Sequence, residues 1–277
     1  MHSRLESAPR PIITLTTDFG LQDGYVAAMQ GVILGICPEA RLVHISHQIP
    51  PQDIQTAAFV LYQAFGYFPP HTVHCVVVDP GVGSKRRAIA IRTSHGVFVG
   101  PDNGVFSLAL AAPGVNVQEA VILSNPAYQL GQVSATFHGR DIFAPAAAHL
   151  ARGVSISRFG PTAINLVRLP YSHQLDRSGS ADTTPIIHID HFGNLVLGLT
   201  AAAVDHPEEV TFVIKGERIR GLHRTFADVP DQALLAYVGS TYDHVEIAVR
   251  NGSAARRLNA RVGDEVQVID SPFPEEA

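Results

Sequence analysis

The N-terminal half of the chain alternates between short apolar runs and segments in which apolar residues recur at helical spacing. The runs at 11–17, 41–46 and 72–79 have the length and β-branched content of strands. The segments at 23–36 and 51–68 have the periodicity of helices. Strands that alternate with helices predict a largely parallel sheet that helices cover on both faces.

The same alternation continues through the next part of the chain. Two adjacent strands are expected within 87–100, a short helix at 104–112, a strand at 117–123 and a helix at 141–153. Asp141 stands where its carboxylate would cap the N-terminus of this last helix.

The pattern changes after about residue 172. The stretch DRSGSADTTP is polar and typical of a linker, and beyond it come short alternating runs with hardly any helical periodicity. Such runs predict a small β sandwich or barrel. The predicted fold is therefore α/β: an N-terminal α/β catalytic domain over 1–175, a linker at 176–184 and a smaller C-terminal all-β domain over 185–277.

Composition narrows the class of protein. Hydrophobic residues make up 46% and charged residues 16%, which allows a substantial core, and the net charge of −5 argues against a nucleic-acid partner. Cys37 and Cys75 lie in apolar contexts and are expected to be buried, reduced thiols. The N-terminal MHSRLESAPR lacks the apolar core of a secretory signal, and no apolar run approaches bilayer length. A cytoplasmic protein without a membrane partner is predicted.

Polar residues punctuate three of the predicted strand ends: TTDFG at 16–20, DPGVGS at 79–84 and GPDNG at 100–104. Each alone is typical of an ordinary turn. Because ligand sites favour the carboxyl ends of parallel strands, three ends of the same character favour a shared cleft.

Two further motifs carry polar groups. SATFHGRD at 134–141 contains His138, and HFGNL at 191–195 contains Gly193 and Asn194. A single histidine is more often structural than catalytic, and Gly-Asn suits a hairpin turn. Neither motif identifies a function by itself.

A metal site is disfavoured by the spacing of the histidines. Residues three apart point to opposite faces of a strand, which makes such pairs poor chelators. No HExxH, P-loop, GxGxxG or GxSxG motif occurs. Three pairs have this spacing: His44 and His47, His71 and His74, and His188 and His191.

Taken together, the motifs resemble the S-adenosyl-L-methionine (SAM) hydroxide adenosyltransferases, the adenosine-forming SAM hydrolases, which are relatives of the fluorinase and chlorinase enzymes. VVDPGVGS, TFHGRD and IDxFGNL are specific in combination, and the matches keep their order over about residues 12–255. The resemblance implies an α/β half and a β half, in agreement with the pattern. The other matching stretches are TTDFG…DGYV…GVI, HISHQIPPQD, FVGPDNG and AYVGS…EIAVRNGSAA.

The resemblance implies three catalytic residues: Asp79 from DPGVGS, Arg86 from the following basic pair and His138 from TFHGRD. The halogenases carry other residues at the aspartate and histidine positions, and they have an insertion before their PNNG-like motif. Here both residues are present and the connection from Arg87 to Gly104 is short. These features favour water over halide as the nucleophile.

The resemblance also implies the substrate contacts. Asp18 matches the aspartate that holds the ribose hydroxyls, and Asp23 one near the methionine ammonium group. Phe192 and Asn194 match residues around adenine, and Ser240 one at the methionine end.

One position departs from the family pattern, because Gln52 stands where the fluorinase has an aromatic residue packed on the ligand. The resemblance implies no metal and no cofactor, with SAM as the substrate. It also implies a homotrimer whose sites lie between the first domain of one chain and the second domain of the next.

The implied reaction is hydrolysis of SAM to adenosine and L-methionine by in-line attack of water or hydroxide on C5′. Asp79 would accept the proton of the water, Arg86 would stabilise hydroxide character and His138 would orient the water. The assignment of Arg86, rather than Lys85 or Arg87, comes from the resemblance. A halide-using enzyme, a non-catalytic SAM or adenosine sensor and a metal hydrolase remain alternatives.

Overall fold

The computed structural model describes residues 10–170 and 183–270. Contacts between residues divide the chain into two compact units, Met1–Leu169 and Pro170–Ala277. The predicted linker at 176–184 lies almost wholly outside the described residues, so its position stays a prediction. The polar N-terminal segment considered above also lies outside them, apart from its last residue.

The first unit is built on a six-stranded sheet. Its spatial order is β2-β1-β3-β5-β4-β6. The first four of these strands run parallel, while β4 is antiparallel to both of its neighbours. The prediction of a largely parallel sheet is therefore confirmed. The strands are β1 (Ile12–Thr17), β2 (Arg41–Ser46), β3 (Val73–Val77), β4 (Ala88–Thr93), β5 (Gly96–Pro101) and β6 (Val117–Ile122).

Helices lie on both faces of this sheet. They are α1 (Tyr25–Ile36), α2 (Ile54–Phe65), α3 (Ser107–Ala111) and α4 (Ala144–Ala151). Side chains alternate along a strand, so Leu15 of β1 joins the core cluster that contains Met29 of α1. Thr14 faces the other way, where its hydroxyl lies 2.9 Å from Nδ1 of His74, and the His74 ring contacts Phe65 of α2.

The second unit contains an eight-stranded sheet in the order β10-β9-β14-β7-β8-β13-β12-β11. Among the described residues, its first strand along the chain starts at Thr183. The strands are β7 (Thr183–Ile189), β8 (Leu195–Thr200), β9 (Thr211–Ile214), β10 (Glu217–Arg220), β11 (Leu222–His223), β12 (Leu234–Val238), β13 (His244–Val249) and β14 (Glu265–Ile269).

The second unit is not wholly β, because it also contains the short helix α5 (Ala254–Leu258). Ser253 caps this helix by accepting a hydrogen bond from the Arg256 N–H. Alanine, arginine and leucine are good helix formers, and a serine cap stabilises the first turn. Five residues are too few to produce a recognisable helical period, which explains why the all-β prediction missed the helix.

Both cysteines are buried and free, as predicted. Burial raises the pKa of Cys75 to about 12, and burial together with the nearby Glu39 raises the pKa of Cys37 to about 11. Among the described residues, no helix combines the length and the apolar character that crossing a membrane requires.

Candidate active site

Strand β3 leads into a tight glycine-containing turn that carries Asp79. The turn is closed by a hydrogen bond from the Ser84 N–H to the Gly81 carbonyl. Gly83 has a φ of +76°, and a Cβ at this position would lie 2.6 Å from the carbonyl oxygen of Ala135. Glycine is therefore needed here, both for the left-handed backbone and for the close approach of the 134–138 segment.

The returning chain brings Arg86 onto Asp79. The Arg86 Nε donates to Oδ1 of Asp79 at 2.9 Å, and Nη2 donates to Oδ2 at 2.5 Å. The two side chains are only 11% and 6% exposed. Nη2 of Arg86 also lies 2.6 Å from Nδ1 of His138, and the guanidinium carbon lies 5.3 Å from the centre of the Phe143 ring. The structure thus brings the three predicted catalytic residues into one hydrogen-bonded group.

This geometry fixes the protonation of His138. A guanidinium has only donors, so Nδ1 of His138 must accept, and the proton of the neutral ring stands on Nε2. Burial and the charge of Arg86 lower the pKa of His138, against the opposing effect of the Asp79 and Asp141 carboxylates. The ring is therefore neutral at pH 7, with Nε2–H as its donor.

The three consecutive cations of the SKRR stretch diverge. Lys85 is exposed, whereas Arg87 pairs with Asp102 and donates to the carbonyl of Ile164 at 2.7 Å. Within this basic run, the cation bound to the carboxylate of the strand end is therefore Arg86.

The third polar strand end, GPDNG, makes contacts within the protein instead of lining the cavity. Its aspartate, Asp102, is buried and binds both Arg87 and the backbone N–H of Val167, the latter at 2.9 Å. Asn103 donates to the carbonyl of Val78 at 2.9 Å. Neither residue is among those that line the cavity described below. The shared cleft therefore receives two of the three strand ends.

The predicted N-cap at Asp141 is wrong. A π-helical turn, Gly139–Phe143, precedes α4, and Asp141 lies inside it with no exposed surface. Its carboxylate accepts from the Ser134 N–H at 2.8 Å and from Nε of Arg140 at 2.6 Å. Burial would raise the pKa of Asp141, but these hydrogen bonds outweigh burial and lower it. Asp141 thus fastens the 134–138 loop to the turn, and π-turns often occur at functional sites.

Asp18 stands at the carboxyl end of β1, next to β3. Its Oδ2 accepts the backbone N–H of Gln52 at 2.8 Å. Gln52 has a left-handed φ of +68°, and its side chain is exposed. The backbone at Gln52 therefore supplies a donor to Asp18.

A cavity of about 640 Å³ lies over these strand ends, within the size range of small-molecule sites. Asp18, Asp79 and His138 contribute to its wall, while Arg86 stands behind the last two. One side of the wall is aromatic, with ring centres 5.3–5.9 Å apart. These aromatic residues are Phe19, Tyr25 and Phe137.

In the second unit, Asp190 organises the HFGNL turn between β7 and β8. Its Oδ1 accepts the N–H groups of Phe192 and Asn194, and its Oδ2 accepts the Asn194 side-chain amide at 2.9 Å. Gly193 is left-handed, and a Cβ there would lie 2.0 Å from Oγ of Ser253. The hairpin turn is confirmed. Phe192 is 73% exposed and Asn194 is buried.

The two other predicted substrate residues are exposed. Asp23 lies just before α1, and Ser240 follows β12 and the neighbouring Gly239. A Cβ at Gly239 would lie 2.1 Å from Oε1 of the buried Glu246, which also accepts a hydrogen bond from the Tyr237 hydroxyl. The backbone before Ser240 is thus packed on a buried carboxyl group.

One of the histidine pairs behaves differently from the prediction. Nδ1 of His44 lies 2.6 Å from Nε2 of His47. The strand ends at Ser46, and a register shift opposite β1 turns His47 back towards its partner. His71 is exposed and His74 is buried. Within residues 10–170 and 183–270, no three His, Cys, Asp or Glu side chains are grouped as metal ligands.

Comparison with known families decides the class of this fold and site. The family model for the SAM hydroxide adenosyltransferase N-terminal domain matches residues 13–160, and the model for the C-terminal domain of that family matches 184–267. The chain belongs to the SAM hydroxide adenosyltransferase family. The resemblance inferred from the motifs is confirmed.

Individual relatives agree with this placement. The (R)-S-adenosyl-L-methionine hydrolase of Salinispora tropica is 43% identical over 94% of this chain and 98% of that protein. A fluorinase of Nocardia brasiliensis is 27% identical over 94% and 97%. The crystal structure of an uncharacterized conserved protein from Thermotoga maritima has a TM-score of 0.83 and 34% identity, over 93% of this chain and 100% of that one.

Some residues of this site were not predicted from the sequence. The aromatic wall was missed because Tyr25 and Phe137 look like ordinary apolar positions of a helix and a loop. Asp190 carried a usable signal, since an aspartate before a Gly-Asn turn is typical of side-chain bonds to the following backbone N–H groups.

Proposed function

We propose that this chain hydrolyses SAM to adenosine and L-methionine. The observation that carries the proposal is the group formed by Asp79, Arg86 and His138 beside the cavity. Membership of the family and the name of the Salinispora relative support the same reaction.

The two cavity-lining members of this group suit a bound water. The Asp79 carboxylate is an acceptor, and the neutral His138 ring offers a donor at Nε2. A water between them would be oriented with one lone pair towards C5′ of SAM. As the C5′–O bond forms, the C5′–S bond breaks, the sulfonium leaves as the neutral thioether of methionine, and Asp79 takes the proton.

Arg86 acts on both partners from behind. Its guanidinium holds the Asp79 carboxylate through two nitrogens and keeps Nδ1 of His138 as an acceptor. Because this positive charge is already fixed beside the water, it stabilises the hydroxide character that develops during attack, and no group has to reorganise.

The rest of the substrate is assigned from the resemblance. Asp18 would accept hydrogen bonds from the ribose hydroxyls, and Asp23 would lie near the methionine ammonium group. Phe192 and Asn194 would surround adenine, and Ser240 would meet the methionine end. The half-buried carboxylate of Asp18 at the cavity wall supports the first of these roles.

The proposal includes a homotrimer, a cytoplasmic location and a reaction that needs neither metal nor cofactor. Light scattering of the purified chain tests the assembly, with a mass of about three times 29.7 kDa expected. Unchanged turnover in excess EDTA is expected, and loss of turnover would favour the metal-hydrolase alternative.

The decisive experiment is incubation with SAM in water enriched in ¹⁸O, followed by chromatography and mass spectrometry. One ¹⁸O atom in the 5′-hydroxyl of the released adenosine is expected. Both sulfonium diastereomers are assayed, because the Salinispora relative is named for the (R) form. A halogenated nucleoside that forms only with added halide would favour the halogenase alternative, and tight binding without product would favour a sensor.

A further inference from the structure

A chain of side-chain hydrogen bonds runs from the end of β1 to the surface. The Thr17 hydroxyl lies 2.8 Å from Nδ1 of His47. Nε2 of His47 lies 2.6 Å from Nδ1 of His44, and Nε2 of His44 lies 2.9 Å from the side-chain nitrogen of Gln30. His47 is buried, whereas His44 is exposed. The reaction proposed above uses none of these four residues.

In this series of hydrogen bonds, each group donates towards Thr17. The Gln30 amide donates to Nε2 of His44, so the His44 proton stands on Nδ1 and is donated to His47. His47 then carries its own proton on Nδ1 and donates it to the Thr17 hydroxyl oxygen. That oxygen also accepts the Phe19 N–H at 3.2 Å. Both rings are neutral in this arrangement.

The segment that carries His47 holds the loop after β1 at three points. The His47 ring binds Thr17, the His47 carbonyl accepts the Gly20 N–H at 2.8 Å, and the Gln52 N–H binds the Asp18 carboxylate. These bonds lie on both sides of Asp18, whose position in the cavity therefore depends on the 47–52 segment.

We infer that His47 is a positioning residue. It holds the Asp18 carboxylate at the place in the cavity wall where it can accept hydrogen bonds from the ribose hydroxyls of the substrate. The inference rests on the proposed function, because it takes over the role of Asp18 in ribose binding. His47 itself does not line the cavity, and it acts through Thr17 and the loop that follows.

A purely structural histidine would give a different kinetic result. If His47 only stabilised the fold, its loss would reduce the amount of folded enzyme and lower the apparent kcat at constant KM. If His47 positions Asp18, its loss weakens ribose binding in the ground state and the transition state alike. KM then rises while kcat changes little.

Three substitutions separate the two sides of the His47 ring. In His47→Asn, the amide stands near the place of Nδ1 and can still donate to Thr17. In His47→Gln, the amide stands near the place of Nε2, which faces His44. His47→Ala removes both groups. The exposed His71, replaced by Asn, is the matched control.

We expect KM for SAM and Kd for adenosine to rise about tenfold in His47→Gln and His47→Ala, with kcat within about threefold of wild type. His47→Asn should recover most of this loss, and His71→Asn should match wild type. Adenosine binding is measured by calorimetry, so this readout does not depend on turnover. Thermal melting reports the folded fraction.

Equal KM and Kd in wild type and His47→Gln, in a protein that turns SAM over, would overturn this inference alone. The inference would also fail if His47→Gln recovered binding and His47→Asn did not, because the Thr17 contact would then be irrelevant. A wild-type protein that neither releases nor binds adenosine would overturn the proposed function, and this inference with it.

Discussion

Asp18 and Asp79 stand at the carboxyl ends of the neighbouring parallel strands β1 and β3, but the fold holds them differently. Asp79 is almost fully buried and both of its oxygens bind Arg86. Asp18 is half-buried and receives the backbone N–H of Gln52. A guanidinium pair fixes the orientation of the Asp79 carboxylate and still leaves a lone pair for one water, whereas a single backbone bond leaves Asp18 more lone pairs for a ligand. The first arrangement suits chemistry and the second suits binding.

The strongest test of this comparison is Asp79→Asn. The amide cannot accept a proton from water, and it leaves the Arg86 charge without its partner. We expect kcat to fall about a thousandfold, with KM within about threefold of wild type. Single-turnover assays of adenosine release measure the effect.

Asp102→Asn is a matched control for that experiment. Asp102 is also buried and paired with an arginine, Arg87, but it does not line the cavity. Its loss should lower the melting temperature and leave kcat within about fivefold of wild type. Equal kcat losses in both variants would mean that the two buried Asp–Arg pairs support activity only through stability.

The second test is Arg86→Lys. A lysine keeps the charge but cannot bind the carboxylate through two nitrogens while also donating to His138. We expect kcat to fall about a hundredfold. Arg87→Lys is the control, and steady-state kinetics of the two variants are compared. A larger kcat loss in Arg87→Lys would contradict the assignment of Arg86 as the active-site cation.

The third test concerns the binding side of the comparison. Asp18→Asn can still accept the Gln52 N–H but loses the negative charge offered to the ribose hydroxyls. KM should rise between roughly tenfold and a hundredfold, with kcat within about threefold. Initial rates over a range of SAM concentrations give both constants. A fall in kcat at constant KM would mean that Asp18 belongs to the reacting group instead.

The two strand ends could be predicted from sequence because an aspartate and glycines directly follow apolar runs. The orientation of the cations could not be predicted from the residue pattern, and only the family resemblance pointed to Arg86. Arg86 and Arg87 are consecutive and directly precede β4, and one reaches Asp79 while the other reaches Asp102. Only the register of the returning chain shows which of the two points inward.

The other misses have local causes of the same kind. The contact between His44 and His47 depends on a register shift at the end of β2. Asp141 does not cap α4, because a π-helical turn that contains Asp141 precedes this helix. Each is a backbone irregularity that changes where a side chain points. Periodicity arguments assume regular elements, so they fail at such positions.

A further effect, on stability rather than activity, concerns the link between the two strands, where His74 of β3 binds Thr14 of β1. Burial lowers the pKa of His74 to about 3. Since the unfolded chain binds a proton near pH 6.5 and the folded chain does not, the free energy of unfolding should decrease as the pH falls from 6.5 towards 3. The loss from this one group should be about 2 kcal/mol at pH 5.

Urea unfolding at pH 7.5 and pH 5 measures this loss in wild type and in His74→Gln. The variant should be less stable at pH 7.5, because the ring packs against Phe65 and stacks on Phe98. However, its free energy of unfolding should change about 2 kcal/mol less between the two pH values. If the free energy of unfolding changed equally with pH in both proteins, protonation of His74 would not be the cause of the loss of stability. Other buried histidines, such as His47, would then have to carry the effect.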